Sequence, residues 1–372
     1  MKILIISRSI YPSSFPRAIR ATELAKEFAR QGHDVTLYGE LGQFNYTCYE
    51  NKNCLKIKNI GKLLFSTCTS DGISNTNIIS KVLTKLFKRI IEFPDIELMF
   101  KMPKIIKLEK NVDLLISIAL PYPIHWGCAL AKSLNRNTFP KLWVADCGDP
   151  YMGNMVKTKP PFFYFKYIEK WFCRQTDYIA VPVVEALNAY YSEFRKKIVV
   201  IPQGVVFPDI KENHNTSPNV IPTFAYAGSF YKGFRDPSSF LEYLVTIRIN
   251  FKCILYTDAN DILTPFKDKL GQKLEIRKPV PREELLKLLC RMDFLLNFEN
   301  GTSIQSPSKL IDYLVVNKPI LSIPNRELPI QIINEFINHD YRNRLVINNP
   351  EQYRVETVVR SFLNLIYKNT TF

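Results

Sequence analysis

KILIISRSIYPSSFPRAIRATELAKEFARQGHDVTLYG, residues 2–39, decides the fold. Lys2–Ser7 is an apolar run suited to a strand buried on both faces. The loop that follows carries Pro12, Ser13, Ser14 and Pro16. Ala21, Leu24, Ala25, Phe28 and Ala29 then recur at helical spacing, and Gly32 stands where a helix end favours glycine. Val35–Tyr38 returns as a strand. Strand, loop, helix and strand make a βαβ unit, whose two strands run parallel.

Outward from this unit the alternation continues. Strands are expected at Asp113–Ile118, Leu142–Ala145, Tyr178–Val181 and Ile198–Ile201. Helices are expected at Ile124–Leu134, Phe162–Arg174 and Val183–Phe194. Asp209–Pro222 carries no apolar period and reads as a linker. Beyond it come strands at Thr223–Ala227, Cys253–Thr257, Phe294–Phe298 and Ile320–Ile323, with helices at Glu283–Cys290 and Ser308–Val316. Alternation of this kind implies parallel sheets covered by helices. The expected architecture is therefore α/β: two Rossmann-like doubly wound domains facing a cleft, residues 1–206 and 207–354. A C-terminal helix at about 355–372 is expected to pack back onto the first domain.

At 372 residues the chain has room for two cores. Its hydrophobic fraction of 46% and charged fraction of 23% are those of a globular protein. The net charge of +15 calls for an anionic partner, or serves solubility. The basic excess is larger before residue 187, with 26 Lys and Arg against 16 Asp and Glu. The eight cysteines form no CxxC pair and no zinc spacing, which suits a reducing cytoplasm. Arg8 ends the first apolar run too early for a signal peptide, and no stretch is apolar for long enough to cross a bilayer. No run of cations alternates with aromatics as a nucleic-acid surface would, so nucleic acid is not an expected partner. Lys81–Glu92 does form a basic amphipathic helix, with Lys101, Lys104, Lys107 and Lys110 beyond it. It either packs on the sheet or lies on an anionic membrane.

Doubly wound domains bind ligands in the loops after strands, near helix N-termini. Four such loops carry suitable chemistry. Ser13, Ser14, Arg17 and Arg20 stand at the entrance to the first helix, where backbone N–H groups favour an anion, though a solvated face would look the same. Gly228 and Ser229 end a strand and are followed by Lys232 and Arg235, a pattern fit for a phosphate or for a plain charged turn. Val280 and Pro281 precede a capped helix start and could hold a base. Ser306, Pro307, Ser308 and Lys309 form a polar helix N-terminus suited to a diphosphate, with Asp312 one turn on to accept from ribose hydroxyls. Asp146 and Asp149 follow a strand of the first domain; they hold hydroxyls or stabilise a turn.

The order of these pieces resembles the GT-B glycosyltransferases, in particular the retaining family 4 group. The opening MKILIIS with Arg17, Leu24-Ala25-Lys26 and Gly32-His33-Asp34-Val35 is similar to that group's start. Lys197–Val205 (KIVVIPQGV), Val280–Leu286 (VPREELL) and Pro307–Leu314 with Lys318-Pro319-Ile320 are similar to its later motifs. The resemblance implies a retaining, metal-independent transfer with no cofactor. A sugar would pass from a nucleotide-sugar to a glycan or lipid-linked glycan in cell-surface polysaccharide synthesis. It places Arg17, Gly228, Ser229, Lys232, Arg235, Val280, Ser306, Ser308, Lys309 and Asp312 at the donor. Ser13, Ser14, Asp146 and Asp149 fall on the acceptor side, with Asp149, Lys232 and Lys309 in the chemistry. It also implies a cytoplasmic protein, peripheral on the membrane's inner face if it binds lipid. The chain departs from the group where Ile304 replaces a glutamate, Asp312 replaces a second one, and Ser229 replaces an arginine. A nucleotide-sugar epimerase on the same fold is the alternative.

Overall fold

A computed structural model describes residues 1–13, 15–64, 86–148, 150–153, 160–207, 217–233, 235–258, 261–299, 308–325 and 327–370, the side chains of residues 308, 369 and 370 excepted. Ser14, Lys81–Lys85, Asp149, residues 208–216 of the expected linker, and Gly301–Pro307 with Ser306 lie outside the described residues.

The chain divides into two compact units, Met1–Val205 with Gln352–Phe372, and Val206–Glu351. In the first, seven strands form one parallel sheet in the order β3-β2-β1-β4-β5-β6-β7. They are β1 (Lys2–Ser7), β2 (Asp34–Gly39), β3 (Lys56–Asn59), β4 (Leu114–Ile118), β5 (Leu142–Asp146), β6 (Tyr178–Val181) and β7 (Ile198–Val200). The second unit holds a five-stranded parallel sheet in the order β10-β9-β8-β11-β12. Its strands are β8 (Thr223–Ala227), β9 (Lys252–Tyr256), β10 (Leu274–Arg277), β11 (Phe294–Phe298) and β12 (Ile320–Ile323). β4, β5 and β11 are buried at every residue, as continuous apolar strands between two helical layers must be.

The helices of the first unit are α1 (Pro16–Arg30), α2 (Thr47–Asn53), α3 (86–91), α4 (Glu97–Leu108), α5 (Pro123–Leu134) and α6 (Phe165–Gln175). Those of the second are α7 (Ser238–Thr246), α8 (Thr264–Leu270), α9 (Arg282–Leu289), α10 (Ser308–Val316) and α11 (Ile330–Ile337). The terminal helix α12 (Val355–Thr370) returns to the first unit. Val355, Val358, Val359 and Phe362 of α12 join one buried cluster with Ile3, Ile5, Leu24 and Phe28.

Two sequence expectations change. Val183–Phe194 is not one α-helix but two 3-10 helices, Val184–Ala189 and Ser192–Lys197, with Tyr190 extended between them. The Tyr190 hydroxyl meets that of Tyr122, and the Tyr191 hydroxyl donates to Glu169; these tertiary contacts outweigh the helical period. The second change concerns the lysines of 101–110. Lys101, Lys104 and Lys107 belong to α4, which buries Leu98, Met102, Ile105 and Ile106; Lys110 follows its end. α4 crosses α5 at Gly127, where a Cβ would lie 2.5 Å from Met102 Cγ, so this crossing requires glycine.

Candidate functional site

In the second unit the carboxyl ends of β8, β9 and β10 meet the starts of α9 and α10 around a cavity of about 380 Å³. Its lining includes Gly228, Ser229, Arg235, Thr257, Val280, Lys309 and Asp312. The sequence loops at 228–235, 280–282 and 308–312 therefore converge on one place.

Lys309 is the centre of it. One turn of α10 carries its half-buried ammonium over the ring of Tyr226, 3.9 Å from the centroid, and it donates to the Tyr226 hydroxyl. Burial, with Arg235 nearby, pushes the ammonium well below the ordinary lysine range. A cation desolvated beside another cation is a site short of negative charge. Gly228 lets the chain pass under it: its φ is +144°, and a Cβ there would lie 2.8 Å from Lys309 Nζ. Arg235 is tied back across the turn, its backbone paired with Tyr231 and Nη1 donating to the Ser229 carbonyl at 3.4 Å. Lys232 is exposed and does not line the cavity. The backbone of Ser308 opens α10, while its side chain and Ser306 lie outside the described residues.

One turn further along α10 in the same cavity, Asp312 is oriented by Arg282, whose Nε donates to Oδ1 at 2.7 Å. Burial pushes the Asp312 carboxyl above its usual range, and Arg282 offsets this only in part. Arg282 Nη2 is buried without a partner among the described residues, and so is the hydroxyl of Thr257, 2% exposed in the cavity wall. Sequence reading missed both. Arg282 was legible only as part of a helix start, and nothing at Thr257 announces a pocket.

At the carboxyl edge of the first sheet the arginines have a different use. Arg20 is 2% exposed; its Nε and Nη2 donate to the two oxygens of Asp146 at 2.8 and 3.2 Å, Nη2 also reaches the carbonyl of Ile201, and Nη1 donates to that of Pro202. Arg17 donates to the carbonyls of Ala119 and Asp146 and pairs with Asp146 Oδ2 at 3.4 Å. Burial would push the Asp146 carboxyl up, but Arg20 and Arg17 outweigh it and hold it below the usual range. Both oxygens of Asp146 are thus taken. It ties α1 to the ends of β4, β5 and β7 rather than standing free for a hydroxyl. Beneath it His125, pushed down to about 3 by burial, is a neutral bridge between Ser117 and Cys147. Ser13 accepts from the backbone of Phe15 at 3.4 Å and shapes the entrance to α1.

A larger hollow of about 690 Å³ lies at the other edge of the first sheet, lined by Lys132, Arg136, Arg174, Lys196 and Lys197. Part of its charge is already employed. Lys197 donates to the carbonyls of Cys173, Arg174 and Thr176 at the end of α6, and Lys132 pairs with Asp177. Helix C-termini disfavour anions, so this hollow suits a diphosphate less well than the cavity at Lys309.

No protein-family model and no curated protein matches the sequence. Solved structures do match. Sucrose-phosphate synthase from Thermosynechococcus elongatus superposes with a TM-score of 0.66 at 13% identity, over 100% of this chain and 99% of that one. A glycosyltransferase from Rickettsia africae ESF-5 gives 0.63 at 13% identity, over 99% and 98%. UDP-GlcNAc 2-epimerase from Neisseria meningitidis, solved with UDP-GlcNAc bound, gives 0.57 at 12% identity, over 99% and 100%. Two parallel doubly wound units and a likeness that spans the whole chain give it the fold of the GT-B glycosyltransferases.

Proposed function

We propose that the chain is a glycosyltransferase that takes its sugar from a nucleotide-sugar held in the second unit. A single observation carries this reading. The desolvated Lys309 and Arg235 stand at a helix start and a glycine turn, in the same cavity as an Arg282-oriented Asp312. That pairing suits a diphosphate at one end and a ribose diol at the other. Ser229, Ser306 and Ser308 would add donors to the phosphates, and Val280 would lie against the base. The bond that breaks joins the anomeric carbon to a phosphate oxygen. Lys309 and Arg235 would stabilise the charge gathering on the departing diphosphate, so the reading asks for no metal. The acceptor oxygen would enter on the same face, giving retention. The acceptor, a glycan or lipid-linked glycan of a cell-surface polysaccharide, would lie by the first unit, near Ser13, Ser14 and Asp149. Asp146 would hold that edge in shape.

The likeness to an epimerase on the same fold defines the rival chemistry. Uridine and guanosine diphosphates titrated into the protein should bind, and Lys309→Ala and Arg235→Ala should each weaken binding by about 1.5–3 kcal/mol. Incubation with the matching nucleotide-sugars should release nucleotide diphosphate faster when a glycan acceptor is added. An epimerised sugar formed without acceptor would instead establish the rival. Full affinity in both variants would remove the diphosphate from this cavity.

A further inference from the structure

The first unit carries a surface that neither its core nor the donor cavity uses. Five of the six residues of α3 are exposed, among them Leu86 at 47%, Phe87 at 46% and Ile91 at 40%. The segment that leads into α6 lies against this helix. The Arg89 guanidinium sits over the Phe162 ring, 4.9 Å from its centroid, and the Tyr164 hydroxyl donates to the Ile90 carbonyl. Next to these contacts Phe163 is 76% exposed and Tyr167 66%. Two segments more than seventy residues apart in sequence, 86–91 and 162–167, thus form one patch of rings and aliphatic side chains.

Its charge is one-sided. Lys88, Arg89 and Lys166 are exposed among the apolar groups. The nearby acids turn inward: Glu92 accepts from the Tyr151 hydroxyl at 2.7 Å, and Glu169, 1% exposed, accepts from that of Tyr191 at 3.0 Å. A protein partner fits this surface poorly, because protein interfaces are depleted in lysine at their cores and bring matching acids. An anionic bilayer fits both features. Aromatic rings settle at the headgroup level, aliphatic side chains enter the acyl boundary, and cations meet the lipid phosphates.

We propose that the patch formed by α3 and residues 162–167 docks the protein on an anionic membrane. The basic segment at 81–92 was legible in sequence as a membrane candidate; the structure adds residues 162–167 and makes the two segments one surface. The proposal stands apart from the donor reading, because vesicle binding is measured without nucleotide.

The test is co-sedimentation of the full chain with vesicles of phosphatidylcholine, with and without about 30% phosphatidylglycerol, at low and high salt. Binding should require the anionic lipid and fade at high salt. The triple variant Lys88→Glu, Arg89→Glu, Lys166→Glu should lose on the order of a hundredfold in partition, since each cation at such a surface contributes about fivefold. Phe87→Ser with Phe163→Ser should lose about tenfold at unchanged lipid charge. These side chains are exposed, so melting temperature and nucleotide diphosphate affinity should hold in every variant. No vesicle binding at low salt, binding kept by the triple variant, or self-association lost in these variants without vesicle binding would each overturn the proposal. The last would give the patch to a second copy of the chain.

Discussion

Lys309 and Asp312 are both displaced from their ordinary titration, one downward and one upward, so that burial disfavours the charged form of each. The Lys309 ammonium is pushed down by burial and by Arg235, so its charge weakens the empty protein. An anion bound beside it raises its pKa again. Nucleotide diphosphate binding should therefore take up protons above the depressed pKa, and affinity should fall as pH rises through that window. Calorimetry in buffers of different ionisation enthalpy checks this, and Lys309→Gln should abolish the uptake. Asp312 is pushed up by burial and kept usable by Arg282. Arg282→Ala should raise it further and cost about 1.5–3 kcal/mol of nucleotide affinity at neutral pH. It should also leave a binding curve that improves as pH rises through the carboxyl's new pKa, where the parent protein is flat. A purely structural Arg282 would shift the melting temperature and leave no such pH dependence.

At the scale of elements, the Arg20–Asp146 pair fastens α1 to the ends of β5 and β7. Both partners are 2% exposed, so removing one leaves a buried charge alone. Asp146→Asn should cost about 3–5 kcal/mol of stability. The folded carboxyl titrates below its unfolded value, so its contribution is complete above pH of about 4 and is lost as pH falls through the folded pKa. Denaturant midpoints should accordingly converge for parent and variant in acid and differ most near neutrality. Ten of the twelve strands among the described residues were legible from apolar runs; the edge strands β3 and β10, largely unburied, carry no such run and were not. Nor was the break at Tyr190, because the tyrosine hydroxyl contacts that impose it lie on other elements.

For the whole molecule, the last helix belongs to the first core. Phe362 is fully buried and packs edge-on to Phe28, with ring centroids 6.4 Å apart. Phe362→Ala should destabilise the unit that contains β1 by about 3–5 kcal/mol and leave the unit around β8 in place. Scanning calorimetry should show one transition shifted and the other fixed; a shift of both alike would mean that the units unfold as one. Composition and periodicity alone determined the alternation of strand and helix in two parallel sheets, most of their strands, and the loops that carry polar chemistry. Those features depend on local spacing and on burial of apolar runs, which a sequence displays directly. Only the tertiary structure decided how each polar group is used. Arg17 and Asp146 are spent on holding strand ends together, whereas Lys309, Arg235 and Asp312 reach one cavity. A charge in a loop looks the same in sequence whether it meets a carbonyl, a carboxylate or an open pocket; its partner comes from distant chain, and that partner sets its role.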